Sequence, residues 1–258
     1  MENKIKDIDG NLCGFGILGP DQYDSRDYKY IDKLAGASID TQYSDFSLRK
    51  TIGPILNQYT TNSCTGHSAM YGMNVLLNRI NGDVVQDWKI NPWWVYYWAR
   101  FQSGLHVRDG GAYMRDLMKA LSKYGVYSNN MCSPDSQPGE FNLEDSFKIQ
   151  EYFRVNNDLN EVKYALTEEK LPIFACIAIY GNDIDNYSGI ITPDKSRFTG
   201  YHAICMTGVK TIKGIQYIEF ANSWGVRWGD GGFGYIHPDC ISDMSYVTDM
   251  YCPTYKYN

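Results

Sequence analysis

The sequence predicts an α+β protein of two packed lobes, and two observations carry that reading. Apolar residues recur at helical spacing through the first half, and the second half carries short continuous apolar runs set off by glycine and turn residues. At 258 residues the chain is long enough to bury a core in each lobe without metal or disulfide support. Three blocks follow: an N-terminal arm and lead-in strand over 1–50, a helical lobe over 51–150, and a β lobe over 151–258, forming one domain overall.

The first forty residues are polar and rich in tyrosine, and they end in a linker-like stretch over 36–38. Nothing in them specifies a helix, so they read as an extended arm. Gly53-Pro54 is a breaker, and a polar loop through Asn57, Gln58, Thr60, Thr61, Asn62 and Ser63 follows it. From Cys64 onward, Ala69, Met73, Leu76, Leu77 and Ile80 mark a helix that stops at Gly82, with Asn62 or Ser63 as its N-cap. Pro92 opens a second, aromatic helix over 93–101. Met114, Leu117, Met118 and Leu121 mark a third, closed by Gly125. The stretch 129–158 reads as loops, and a short helix around Leu159, Val162 and Leu166 precedes Pro172. Strands are predicted over 173–180, 203–209 and 216–221, with Lys213-Gly214 as the turn between the last two. A glycine-rich passage interleaved with Trp224, Trp228, Phe233 and Tyr235 closes the pattern.

Composition excludes several classes. A formal net charge of −6 argues against a binder of duplex nucleic acid or of anionic membranes. No apolar run approaches the ~18–20 residues of a membrane span. The N-terminal residues, MENKIKDIDGN, lack the hydrophobic stretch of a secretory signal. Seven cysteines leave at least one thiol unpaired, and a chain made without a signal is expected to stay reduced. No metal site is predicted, because neither paired C-x-x-C spacing nor an H-E-x-x-H helix occurs. The glycines over 229–234 lack the lysine of a phosphate-binding loop.

Cys64 is the sharpest local feature. It opens a helix, where unpaired amides and the macrodipole favour an anion and lower a thiol's pKa. An arbitrary cysteine is ordinarily a core thiol, as Cys176 and Cys205 in their apolar runs are expected to be. The polar loop ahead of Cys64 argues against that reading there. A thiol hydrolase also needs an imidazole beside the thiolate to pass a proton to the leaving amine. Of the four histidines, His67 lies on the same helix and is expected to be structural, and His106 and His237 lie in loop-like, solvated segments. His202 immediately precedes an apolar strand, a rigid place from which to present a ring.

These residues reach a resemblance. Gly53-Pro54-Ile55-Leu56-Asn57-Gln58 followed by Asn62-Ser63-Cys64 resembles the nucleophile segment of papain-like cysteine peptidases. Tyr201-His202-Ala203 is similar to that family's histidine strand, and Asn222-Ser223-Trp224-Gly225 with the following Trp228-Gly229 to its asparagine motif. Asp109-Gly110-Gly111 resembles a segment beside the substrate cleft. The resemblance implies a papain-like two-lobed fold, a helical lobe packed on an antiparallel β-barrel-like lobe with the active site in the cleft between. It implies Cys64 as nucleophile, His202 as its partner, Asn222 orienting the imidazole, and Gln58 with the Cys64 amide as oxyanion donors. Trp224 would shield the His202–Asn222 hydrogen bond; packing alone is the ordinary role of a tryptophan. Trp228 would line the leaving-group side, Gly110 and Gly111 the substrate strand, and Cys176 a wall of the specificity pocket.

There are departures. The cysteine three residues before the nucleophile in secreted members, and its partner ahead of the paired glycines, correspond to Thr61 and Arg108, so that disulfide is absent. Thr65 stands where an aromatic usually follows the nucleophile. No long propeptide is expected ahead of the domain, and the arm with Asp24-Ser25-Arg26-Asp27-Tyr28 resembles the N-terminus of short prokaryotic, phage or large-virus members. The expectation is a thiol endopeptidase acting through an acyl-enzyme, with a peptide or unfolded protein as substrate. It would need no cofactor beyond a reduced thiol, bind neither nucleic acid nor membrane, act as a monomer, and be cytoplasmic, virion-associated or released by lysis. A transpeptidase or ligase with the same triad, and a catalytically silent peptide-binding module, are the alternatives.

Overall fold

The computed structural model describes residues 4–6, 12–37, 39, 42–127, 146–181, 183 and 188–255. Most of the loop region predicted over 129–158, up to residue 145, lies outside them, as does Cys132. From the N-terminus, β1 (Lys4–Lys6) pairs antiparallel with β2 (Leu12–Gly14). One helical turn, α1 (Tyr30–Lys33), interrupts the arm where the sequence specified none. β3 (Phe46–Ser47) and a 3-10 turn (Arg49–Thr51) then lead to α2 (Cys64–Ile80). Ser63 holds the N-cap position of α2 but makes no cap bond. Its hydroxyl instead pairs with the Thr61 hydroxyl at 2.7 Å and with His67 Nδ1 at 3.2 Å.

α3 (Pro92–Gln102) begins at its proline, with the Asn91 side chain accepting from Trp93 N at 2.9 Å. α4 (Met114–Lys123) buries Met114, Leu117, Met118 and Leu121, the four residues of its sequence stripe. β4 (Glu151–Arg154) is a strand within the stretch read as loop; four residues, mostly half-buried, carry no alternation to read. α5 (Leu159–Thr167) is capped by Asp158, which accepts from the amides of Asn160 and Glu161.

The remaining elements are β5 (Ile173–Tyr180), β6 (Ile190–Ile191), β7 (Phe198–Ile212), β8 (Ile215–Ala221), β9 (Phe233–Ile236), α6 (Pro238–Ile241) and β10 (Val247–Thr254). The eight-stranded sheet runs β4-β10-β5-β7-β8-β9-β6, with β3 attached to β7. All its pairings are antiparallel except β6 with β9. β7 extends the predicted strand at both ends. Lys213 and Gly214, with φ of 49° and 82°, form the hairpin turn into β8.

α2 joins the helical lobe to the sheet. Ser68 Oγ donates to the Ile204 carbonyl of β7 at 2.7 Å. A Cβ on Gly72 would stand 2.3 Å from the Phe174 ring of β5, so only glycine allows this helix to lie so close to the sheet. The helix is therefore buried on almost every side.

The arm is fastened to both lobes. Asp27 pairs with Arg115 of α4 at 2.6 Å, and Asp21 accepts from the Arg115 amide and from the Tyr251 hydroxyl of β10, both at 2.9 Å. The Asp21 amide donates to Asp249, which also pairs with Arg154 at 2.7 Å. Burial, and then the nearby Asp249 charge, push the Asp21 carboxyl up to about 6. The folded chain thus holds a proton between about pH 4 and 6 that the unfolded chain releases, and stability falls as pH rises through that window. The loss amounts to up to about 3 kcal/mol. Urea unfolding at pH 4 and pH 7 should show Asp21→Asn spared this loss; identical pH dependence in both proteins would refute the assignment.

Candidate active site

The cleft residues come from four segments. Cys64 opens α2, His202 lies on β7, Asn222 follows β8, and Gln58 sits in the loop before α2. That loop is zipped to the asparagine segment: Gln58 N donates to the Ser223 carbonyl at 2.8 Å and Gly225 N to that of Leu56 at 3.1 Å. Ser223 Oγ donates to Gln58 Oε1, which aims the Gln58 amide nitrogen into the cleft. Sequence reasoning gave Ser223 no role; a hydroxyl in a motif quoted for its asparagine and tryptophan carries no separate signal.

His202 Nε2 and Asn222 Oδ1 are 2.8 Å apart, and Asn222 Oδ1 also accepts from Ser223 N. The Trp224 ring lies against the imidazole, with centroids 4.7 Å apart, and Trp228 meets Trp224 edge-on at 5.3 Å. Trp224 covers the His202–Asn222 contact from solvent, whereas Trp228 is buried behind it against Phe220 and Gly234. His202 Nδ1 finds no hydrogen-bond partner among the described residues. The Cys64 sulfur instead faces the amides of Ala203, Gly16 and Thr65. The structure thus sets the thiol of α2 against the Ala203 amide of β7, next in sequence to His202, without bonding it to the imidazole.

The arm runs through the cleft. Gly16 lies directly on Cys64: a Cβ there would stand 2.7 Å from Cys64 Sγ and 1.8 Å from the Asn62 carbonyl oxygen. The Gly16 carbonyl accepts from Ala112 N at 2.8 Å, and Leu18 N donates to Ala112 O at 3.3 Å. Ile17 bridges Ala112 on one lobe and Tyr201 on the other. The Phe15 ring meets His202 and Trp224, each with centroids 6.3 Å apart. Gln58 Nε2 spends its protons on the carbonyls of Gly14, at 3.0 Å, and Thr61, at 2.7 Å. The signal for this segment was present in Cys13-Gly14-Phe15-Gly16-Ile17-Leu18, an apolar run within a polar arm. Its glycines are required by the close approach to the cleft floor.

Occlusion reverses the electrostatics expected at a helix start. Cys64 and His202 have no solvent exposure. Burial pushes the Cys64 thiol up to about 12, outweighing the three amides that favour the thiolate. Burial also lowers His202 to about 4, against the opposing effect of the Asn222 hydrogen bond. With the arm in place the pair is therefore neutral.

The other named residues are placed as follows. Gly111 has φ of +97°, its amide donates to the Tyr96 hydroxyl at 2.9 Å, and a Cβ there would stand 2.7 Å from the Gly16 carbonyl oxygen. Gly110 faces open space. Cys176 pairs in register with Ala203, on the face of β5 opposite to that of Ile177 and His202. His67 is buried, its Nδ1 2.9 Å from the Ser63 carbonyl oxygen. His106 is not the solvated ring expected: it packs between Tyr97 and Phe101. His237 caps α6.

Among solved structures, xylellain, a cysteine protease from Xylella fastidiosa, superposes with a TM-score of 0.74 at 22% identity, covering 99% of both chains. Bromelain from Ananas comosus, in complex with the E64 inhibitor, gives 0.62 at 20% identity over 83% of this chain and 100% of its own. Both likenesses show the papain-like two-lobed fold. Among curated proteins, a cysteine protease of Blomia tropicalis is 25% identical over 142 residues, 49% of this chain and 40% of its own. Peptidase 1 of Dermatophagoides pteronyssinus is 33% identical over 96 residues, 35% of this chain and 29% of its own. The matches thus span well under half the length of these relatives. The sequence profile described as papain family cysteine protease matches residues 95–253, taking in His202 and Asn222 but starting beyond Gln58 and Cys64. With more than half of the chain matched to that profile, on a fold shared with solved members, this protein belongs to the papain family of cysteine proteases.

Proposed function

We propose that the chain is a thiol endopeptidase in which Cys64, His202, Asn222 and Gln58 form the catalytic centre, stored with its own arm in the cleft. The observation that supports this reading best is the His202–Asn222 contact of 2.8 Å, shielded by Trp224, beside a cysteine at a helix start. With the arm gone, water returns to the cleft, the burial penalty on both groups falls, and the imidazole Nδ1 takes the thiol proton. Asn222 accepts from Nε2–H and fixes the ring's orientation. The thiolate attacks the scissile carbonyl while Gln58 Nε2 and the Cys64 amide hold the oxyanion; such donors typically contribute about 3 kcal/mol. His202 passes its proton to the leaving amine, and water then hydrolyses the thioester with the same imidazole as base. No step calls for a cofactor beyond a reduced thiol.

Peptide would bind extended along Gly110, Gly111 and Ala112, the edge that Gly16 and Leu18 now use. Cys176 and Tyr201 would contribute to the wall of the specificity pocket, and Trp228 would support the leaving-group side from behind Trp224. The arm runs from Phe15 at the tryptophans to Ile17 at Ala112, so its chain direction opposes that of a substrate whose leaving amine lies at the tryptophans. A bond so presented is not positioned for cleavage. The short prokaryotic, phage or large-virus type is the subgroup we favour, supported by the bacterial xylellain, whose match extends over the arm. We take the protein to act as a monomer on peptides or unfolded proteins.

A thiol-directed epoxide, read by peptide mass mapping, tests the reading. It should modify Cys64 alone in Gly16→Val, where the arm cannot seat, and the same protein should cleave a fluorogenic peptide in the presence of a reductant. Absence of both from Gly16→Val would end the proposal.

A further inference from the structure

We propose that Asp109 is a positioning residue of this centre: its carboxylate fastens the loop presenting Cys64 to the loop presenting Gly110 and Gly111. The inference rests on the peptidase reading for its meaning and on geometry for its existence. Asn62, two residues before the nucleophile, donates its backbone N–H toward both Asp109 oxygens, each at 3.1 Å. Asn62 Nδ2 donates to the Asp109 carbonyl at 2.7 Å, so the two loops are tied by side chain and main chain together.

The carboxylate is anchored in turn to α3. The Tyr96 hydroxyl donates to Asp109 Oδ1 at 2.6 Å and accepts from Gly111 N at 2.9 Å. One buried hydroxyl thus relays the carboxylate to the glycine whose backbone would meet substrate. The Arg100 guanidinium lies 4.1 Å from the Tyr96 ring centroid and donates to the Arg108 carbonyl, holding the loop from its other side. Thr61 and Arg108, each one residue earlier in its loop, share no bond, so polar contacts do this joining. Hydrogen bonds to an ionised acceptor are about twice as strong as neutral ones, and the Asn62 and Tyr96 donors need both oxygens of one acceptor.

Asp109 also acts on the sulfur through its charge. The groups facing Cys64 are the Gly16 amide from the arm, the Thr65 amide from α2, the Ala203 amide and His202 from β7, Cys176 from β5 and Asp109 from its loop. The three amides favour the thiolate and the Asp109 charge disfavours it. A residue that served packing alone would not carry this second signature.

Hydrogen exchange on the full-length chain reads the tie without relying on turnover. In Asp109→Ala, peptides covering 60–66 and 109–113 should exchange at least about tenfold faster, while peptides from β7 keep the parent's rates. In the Gly16→Val background, Asp109→Ala should lower kcat/KM by about tenfold or more, with both kcat and KM affected. The acid limb of its pH profile should move to lower pH, because the thiol loses an opposing charge. Asp109→Asn keeps the shape without the charge, so it should show the same pH displacement with a smaller loss of rate. Unchanged exchange in both segments, or an acid limb that stays in place in both variants, overturns the proposal. Faster exchange in a Gly16→Val background with no turnover at all would uphold the tie and overturn the peptidase reading instead.

Discussion

Gly16→Val should raise the reactivity of Cys64 in the full-length chain by about ten- to a hundredfold, where an ordinary cleft mutation would lower it. The argument is steric. Any Cβ at this position would stand 1.8 Å from a backbone oxygen, that of Asn62, and backbone cannot swing away as a flexible side chain can. Gly14 is similarly confined, its Cβ position lying 2.4 Å from the Thr61 carbonyl oxygen. The segment 14–18 must therefore lift, while the Asp21 and Asp27 contacts keep the rest of the arm attached. Lifting exposes Phe15 and Ile17, which forfeits roughly 1.5–3 kcal/mol per side chain and lowers the melting temperature. It also rehydrates the thiol and the imidazole, so Cys64 should fall from about 12 and His202 rise from about 4. Epoxide labelling followed from pH 4 to 9 reads both changes. If Gly16→Val labels no faster than the parent, the arm is not what withholds the thiol. Tyr23→Ala, at an arm side chain 85% exposed, serves as the control that should change nothing.

The secondary structure was legible wherever one local signal was strong. β5 was read with its observed bounds because Pro172 and Gly181 enclose a continuous apolar run. α2 was read from its spacing and from the Gly82 stop. β7 was cut short because its ends, near Thr199 and Lys210, are polar and exposed, and a long strand's pairing partners set its length as much as its own residues do. The order of Cys64, His202 and Asn222 could be read from motifs, as could Gln58. What sits on them could not. Phe15 and Ile17 are buried only because Ala112, Tyr201 and Trp224 meet them, and such a contact between distant segments leaves no local pattern. Asp109 was noticed only as the lead-in to two glycines, since one carboxylate carries no sign of which amide it will hold. The same holds for the thiol: its helix start was readable, but the burial that outweighs it is a tertiary fact.

Cys64→Ala in the Gly16→Val background should lose turnover by roughly 10⁴-fold or more, the scale on which removal of a nucleophile acts. The loss should fall on kcat, because the proposed substrate edge at Gly110, Gly111 and Ala112, the proposed Gln58 donor and the tryptophans are all retained. A peptide should therefore still bind Cys64→Ala, as fluorescence polarisation would read, and turnover in the Gly16→Val parent separates an enzyme from a module whose only task is to bind. A silent module would show the same affinity before and after substitution and no turnover in either protein. The other buried thiols supply the contrast. Cys176 and Cys205 are as fully buried as Cys64, and burial raises the pKa of each. Cys205 lies in the sheet core, and Cys176 faces away from the imidazole, so neither thiolate is set opposite His202. Replacing either by alanine removes one sulfur's packing, costing about 1 kcal/mol or somewhat more, and should leave most of kcat in place. Turnover in Cys64→Ala within tenfold of the Gly16→Val parent would show that the sulfur at the helix start is not the nucleophile. Turnover lost equally in Cys176→Ala and Cys64→Ala would point to damaged packing rather than missing chemistry. Loss confined to Cys64→Ala, with peptide affinity retained, leaves the thiol as the group that forms the acyl bond.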